Sequence, residues 1–217
     1  MKKTVLFAHG FGVMKDARGM FTQIAEGLSL QGIDPVLVDL NVRDATGNIV
    51  LNSFSAQVDI LRRARAEIKE GEVYLLCHSQ GCVIAALAQL PQIHKTIFLA
   101  PPIGNNYTKT IEYFSKNPLT TIDMEGTSRL ARRDGTFTIV PPGYWAERKG
   151  LDIQKLYQEY CSKNVVCVVK ATQDEIVSNE GLEEIFREAE IIAVEAGHDF
   201  KGEAREPLIA LCGRLVG

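Results

Sequence analysis

The chain has 217 residues, 46% of them hydrophobic, and its 24 basic side chains nearly balance 27 acidic ones for a net charge of −3. A chain of this length buries a sizeable core and suits one α/β domain over residues 1–217. Charges of both signs are scattered, which excludes the basic stripe of a nucleic-acid binder and a polybasic membrane anchor, and no apolar run is long enough to cross a bilayer.

In chain order, residues 4–8 (TVLFA) read as a strand and 17–30 as a helix; 35–40 (PVLVDL) and 55–69 repeat that pair. Residues 73–77 (VYLLC) and 81–90 repeat it again, and a fourth strand follows at 95–100 (KTIFLA). After an irregular stretch come a helix at 153–160, a strand at 165–171 (VVCVVKA), a helix at 181–189, a strand at 191–195 (IIAVE) and a helix at 207–216. The strands are nearly continuous in apolar residues, as strands covered on both faces are. Alternation of the two types predicts an α/β fold with a compact, mostly parallel sheet of about six strands and helices on both faces. The stretch from about 103 to 150 breaks the rhythm with aromatics, two Pro-Pro pairs and an Asp134-Gly135 hairpin signal. It reads as a small cap insertion over the strand ends.

Five cysteines, an odd number, fall mostly in apolar context, among them Cys77, Cys82, Cys167 and Cys212. They predict buried free thiols in a reducing compartment. The apolar run after Met1-Lys2-Lys3 breaks at His9-Gly10, too short for a secretory signal, so the cytoplasm is the expected location. A small molecule is the expected partner, neither nucleic acid nor a membrane is, and a homodimer is left open.

Between the third strand and its helix lies the polar knot His78-Ser79-Gln80-Gly81. Ligands of open parallel sheets sit beyond the carboxyl ends of the strands, where this knot falls. A serine in so sharp a turn projects its hydroxyl outward, and the helix N-terminus behind it favours a developing oxyanion. An ordinary N-cap serine is the alternative for Ser79 taken alone.

Cys77-His78-Ser79-Gln80-Gly81 resembles the nucleophile elbow G-x-S-x-G of the α/β-hydrolase family, with Cys for the first Gly. Ala8-His9-Gly10-Phe11-Gly12 resembles that family's HG oxyanion loop, and Asp174-Glu175-Ile176-Val177 its acid loop. Gly197-His198-Asp199-Phe200 is similar to its G-H-x-F histidine loop. The resemblance, which runs from His9 to Phe200, implies Ser79 as nucleophile, Asp174 as the carboxylate with Glu175 its rival, His198 as base, and the Phe11 and Gln80 N–H groups as oxyanion hole. It gives His9 a supporting role. HGFGVMKDARGMF and SFSAQVDILRRA are similar to the cinnamoyl and feruloyl esterase-like branch, whose members carry a hairpin-containing insertion after the fourth of these strands. Because the resemblance starts at the first strand, it implies a compact sheet without the two N-terminal strands of larger members. The loop NVRDATGN lacks the glycine-and-serine pattern usual there, so the substrate does not carry over.

Elimination among the four histidines agrees with the motif. His94 falls at the opposite end of the sheet and His78 points away from the hydroxyl, which leaves His198. The expectation is a serine hydrolase that cleaves carboxylic esters through an acyl-enzyme, without metal or organic cofactor. A thioesterase or peptidase with the same triad, or a low-turnover ligand-binding protein, is the alternative. Of the insertion's aromatics Tyr107, Tyr113, Phe114, Tyr144 and Trp145, we expect Tyr107, Tyr144 and Trp145 to bind substrate.

Overall fold

The computed structural model describes residues 1–104 and 107–217, without the side chains of Tyr107 and Lys109. The first half runs β1 (Lys3–Ala8), α1 (Met20–Ser29), β2 (Asp34–Leu37), β3 (Val42–Arg43), β4 (Ile49–Val50), α2 (Phe54–Glu67), β5 (Glu72–His78), α3 (Gln80–Ala88) and β6 (Lys95–Leu99). The second runs α4 (Tyr107–Ser115), β7 (Ser128–Ala131), β8 (Phe137–Val140), α5 (Tyr144–Lys149), α6 (Ile153–Cys161), β9 (Val166–Ala171), α7 (Leu182–Ile185), β10 (Glu190–Val194) and α8 (Arg205–Val216).

The six apolar runs pair in the order β10-β9-β6-β5-β1-β2, every pair parallel. Alternate residues of one strand serve two cores. Val5 and Phe7 of β1 pack with α1 and α8, whereas Leu6 and Ala8 pack with α2, α3, α6 and α7. That is why the strands show no polar alternation. The helix linking β1 to β2 lies on one face, and those carrying the chain towards β10 lie on the other, as right-handed crossovers in opposite directions require. The order turns round at β1, so the carboxyl ends of β1 and β5 flank the switch point where such sheets bind ligands.

Two boundaries differ from the sequence pattern for local reasons. Helix α1 begins after three left-handed residues, Ala17, Arg18 and Gly19 at φ 46°, 58° and 86°, which cannot continue a helix. Strand β2 ends at Leu37 because the chain turns in, the Leu40 N–H donating to His9 Nε2 at 2.8 Å.

The insertion contains the expected hairpin: β7 and β8 are antiparallel, with Gly135 at φ 82° between them. It does not stand alone. A second sheet, in the order β3-β4-β8-β7, joins it to a hairpin formed by residues 42–50, in place of the loop expected there. Both turns use one device. Asp44 Oδ1 accepts from the Thr46 N–H and hydroxyl at 2.9 and 2.8 Å, and Asp134 Oδ1 from those of Thr136 at 3.1 and 2.6 Å. The Phe137 N–H donates to Asn48 Oδ1 at 2.9 Å, tying one hairpin to the other. Leu130, Val140, Tyr144 and Trp145 then share the core of α2 and α3, so the insertion is anchored on the same face as the elbow.

All five cysteines are free and buried. Among the described residues no helix is long and apolar enough to cross a membrane.

Candidate active site

Ser79 follows β5 directly and precedes α3, at φ 53° and ψ −126°, a left-handed backbone that L-residues avoid. Its N–H donates to the Leu99 carbonyl at 2.9 Å, the last bond tying it to β6. The tight turn brings α3 across the end of β1, and a Cβ on Gly81 would overlap the Ala8 carbonyl. Only glycine fits there. Cys77, where the elbow motif has its first glycine, is fully buried in the core shared with α3.

From this turn a chain of hydrogen bonds runs through three strand ends. The Ser79 hydroxyl meets His198 Nε2 at 2.9 Å, and His198 Nδ1 meets Asp174 Oδ2 at 2.8 Å. With the carboxylate on Nδ1, that nitrogen carries the proton and Nε2 is left to accept from the hydroxyl. Asp174 is held in turn: its Oδ1 accepts the N–H groups of Ile176 and Val177 at 2.9 and 2.8 Å, and its side chain is fully buried. Glu175 takes another task, accepting the backbone N–H of His198 at 3.0 Å.

The other histidines are occupied elsewhere. His78 Nε2 donates to the His198 carbonyl at 3.0 Å, and the two rings stand 4.8 Å apart. Burial, with His198 beside it, pushes the His78 pKa down to about 3, so this ring is neutral. His9 accepts from the Leu40 N–H, so its proton is on Nδ1, which donates to the Gly10 carbonyl at 3.0 Å; burial lowers its pKa too. His94 is at the far end of the sheet, 3.8 Å from Glu72 at the start of β5.

Two backbone segments lie beside Ser79. Gln80 is the first residue of α3, whose leading N–H groups have no intrahelical partner. A Cβ at Gly10 would stand 3.1 Å from Ser79 Cβ, so bare glycine lets the Gly10–Phe11 peptide approach the serine. An alcohol with an imidazole to take its proton, beside such donors, is arranged to attack a carbonyl.

Solved structures superpose on nearly the whole chain. Est1E from Butyrivibrio proteoclasticus does so at a TM-score of 0.69 with 17% identity, covering 99% of this chain and 86% of its own. An esterase domain from a Rhodothermus marinus protein gives 0.69 with 14% identity, covering 98% and 85%. The thioesterase domain from the curacin biosynthetic pathway gives 0.62 with 16% identity, covering 97% and 90%. No family model and no curated protein matches the chain in sequence. The chain has the α/β-hydrolase fold.

In this α/β-hydrolase fold the cleft above Ser79 is lined by Gly10, Phe11, Val13, Pro102, Phe114, Ile176 and Val177, and also by Arg18 and Asp199. The mainly apolar walls with few polar groups suit a small organic ligand. Tyr113 and Phe114 of α4 line it, but Tyr144 and Trp145 do not. Both are 1% exposed and belong to the core, Tyr144 donating to Gln80 Oε1 at 2.7 Å and Trp145 to Ser128 Oγ at 3.1 Å. Their expected place on the substrate wall is thereby corrected: the rings are too deep to offer a face. Tyr107's expected contact lies outside the described residues. Arg148 and Thr110 also line the cleft, and sequence reasoning missed both, because an arginine in a short helix carries no local signal.

Proposed function

We propose that the chain is a serine hydrolase cleaving carboxylic esters of small or medium acyl or aryl groups. The observation that carries this reading is the Ser79–His198–Asp174 hydrogen-bond chain, with links of 2.9 and 2.8 Å, at the switch point of the sheet. Ser79 Oγ attacks the ester carbonyl as His198 Nε2 takes its proton, and the carbonyl oxygen gathers charge beside the Phe11 and Gln80 N–H groups. Collapse breaks the C–O bond, and His198 returns the proton to the departing alcohol. Water, deprotonated by the same imidazole, then attacks the acyl-enzyme carbonyl, and as the acyl–Oγ bond breaks to release the acid the imidazolium returns the proton to Ser79 Oγ. Asp174 holds the Nδ1 tautomer and faces the imidazolium that forms.

The thioesterase domain among the structures of this fold supports a second reading, thioester hydrolysis by the same residues. Matched oxygen and sulfur esters separate the two by their kcat/KM ratio. The buried, unpaired thiols fit a cytoplasmic setting.

The test is turnover of an ester panel by the wild type and by Ser79→Ala. Sustained hydrolysis by the wild type, with kcat in the variant down by up to about a million-fold, is the expected result. Binding without turnover would instead describe a ligand-binding protein, and activity retained in Ser79→Ala would remove Ser79 from the mechanism.

A further inference from the structure

The loop after β1 carries the Phe11 N–H, one of the two proposed oxyanion donors, and its carbonyls are held from separate parts of the chain. The Gly10 carbonyl and the Phe11 N–H belong to one planar peptide and point to opposite sides of it. His9 Nδ1 holds the carbonyl at 3.0 Å, and among the described residues the N–H has no acceptor. Further along, Arg132 Nη1 donates to the Gly12 carbonyl, and to Thr138 Oγ1 at 3.3 Å. Asn41 Nδ2 donates to the Val13 carbonyl at 3.0 Å. Gly12, at φ 63°, lies against β8: a Cβ there would stand 3.0 Å from Thr138 Oγ1. The hairpin of the insertion thus grips the loop by a backbone oxygen.

Arg132 and Asn41 hold these carbonyls at some expense to the fold. Asn41 is 4% exposed, and its Oδ1 has no hydrogen-bond partner among the described residues. Arg132 Nε, also buried, has none either and stands 3.7 Å from Asp134 Oδ2. Among the described residues the Tyr157 hydroxyl is the one other buried side-chain polar atom in that state. A buried donor or acceptor without a partner destabilises the fold, and native proteins keep few of them. Two of these three fall on the side chains that hold successive carbonyls of a single loop. Such exceptions gather where function needs a fixed geometry. An oxyanion donor needs one, because it has to face the developing charge before the reaction starts.

We propose that Arg132 and Asn41 are positioning residues that keep the Phe11 N–H turned to the oxyanion, so that the insertion completes the site through its hairpin. This rests on the serine-hydrolase reading and adds to it two residues outside the matched motifs. Neither side chain is among those that line the cleft, so each acts through the loop.

The experiment measures turnover of an aryl ester, and inhibition by a chain-matched trifluoromethyl ketone and by its secondary alcohol, in the wild type, Arg132→Met, Arg132→Lys and Asn41→Leu. Ser79 Oγ adds to the ketone carbonyl as His198 takes the hydroxyl proton, and the carbonyl π electrons become a lone pair on a hemiketal oxyanion. The alcohol forms no such bond. Removing one oxyanion donor outright costs about 100- to 1,000-fold in kcat, so loosening it in Arg132→Met should cost about 10- to 100-fold. The ketone Ki should rise by a similar factor, while KM and the alcohol's Ki stay within about two-fold of the wild type. Arg132→Lys keeps a charged donor without the fork and should recover part of both losses. Asn41→Leu leaves the Val13 carbonyl without its donor and should show the same split. Unchanged kcat in Arg132→Met would overturn the proposal. So would a fall in kcat with the ketone Ki as in the wild type, the result that a smaller folded fraction gives. Should Arg132→Met not fold, Asn41→Leu is judged by the same criteria. Wild-type turnover with tight ketone binding, matched by the variants, rejects the positioning role alone. No turnover, and no preference for ketone over alcohol in the wild type, rejects the hydrolase reading beneath it.

Discussion

Asp174 and Glu175 are adjacent carboxylates that both reach His198, one at the ring and one at the backbone N–H. The family resemblance puts Asp174 ahead of Glu175, and the local geometry depends on which way the loop backbone turns; the N–H groups of Ile176 and Val177 fix that turn around Asp174. On the proposed mechanism, Asp174→Asn favours the wrong imidazole tautomer and should lower kcat by about ten-thousand-fold. Glu175→Gln keeps an oxygen for the His198 N–H and should change kcat little, so the reverse order in steady-state kinetics would refute the assignment. His78 makes a second prediction, on stability. Its folded pKa of about 3 lies below its ordinary 6.5, so the unfolded chain takes up a proton that the fold refuses. The linked stability is fully present above pH 6.5 and declines as pH falls towards 3, by about 2 kcal/mol at pH 5. Burial of His9 acts in the same direction. Denaturant unfolding at pH 5 and pH 7 should show a difference smaller by about that amount in His78→Gln than in the wild type, and equal differences would contradict the assignment.

Among the elements, the hairpin of the insertion was legible from Asp134-Gly135, but its partner hairpin β3–β4 was not. Two strands of two residues each are too short to show a period. The overlooked signal is the Asp-x-Thr turn, present at Asp44-Ala45-Thr46 as well as at Asp134-Gly135-Thr136. The insertion also reaches the elbow through a buried polar chain. Tyr144 donates to Gln80 at 2.7 Å, Gln80 Nε2 to Gln57 Oε1 at 3.4 Å, and Gln57 Nε2 to the Asn52 carbonyl at 2.7 Å. Asn52 Nδ2 donates to the Leu40 carbonyl at 2.9 Å, and the Leu40 N–H to His9. One network thus connects α5, α3 and the loop after β1, the last two carrying both proposed oxyanion donors. Tyr144→Phe leaves the Gln80 acceptor buried without this donor, an omission that costs about 1–3 kcal/mol. At about 2–4 °C per kcal/mol for a chain of this size, the melting temperature should fall by several degrees. Adding Gln80→Met removes the orphaned acceptor, so the double variant should melt higher than the sum of the single losses predicts. Strict additivity would show that the two side chains are not coupled.

Across the whole molecule, what could be read from the sequence was what is local to it. Six apolar runs specified the parallel sheet because each is buried on both faces, and the knot at Ser79 stood out because strand, turn and helix succeed one another within a few residues. The cleft walls were not legible, since Phe11, Phe114, Arg148, Ile176 and Asp199 come from separate segments and meet only after folding. Tyr144 and Trp145 show the same limit from the other side: an aromatic ring in an insertion is equally suited to a wall or a core, and neighbours far along the chain decide. The central claim is that Ser79, supported by these separate segments, forms a covalent acyl-enzyme. Its most direct test is rapid acid quench of the protein during turnover of an aryl ester, followed by mass spectrometry of the intact chain and its peptides. The account predicts a mass increase equal to the acyl group, located on the peptide containing Ser79 and lost in Ser79→Ala. Turnover with no adduct at any quench time, or an acyl group on another residue, would contradict it.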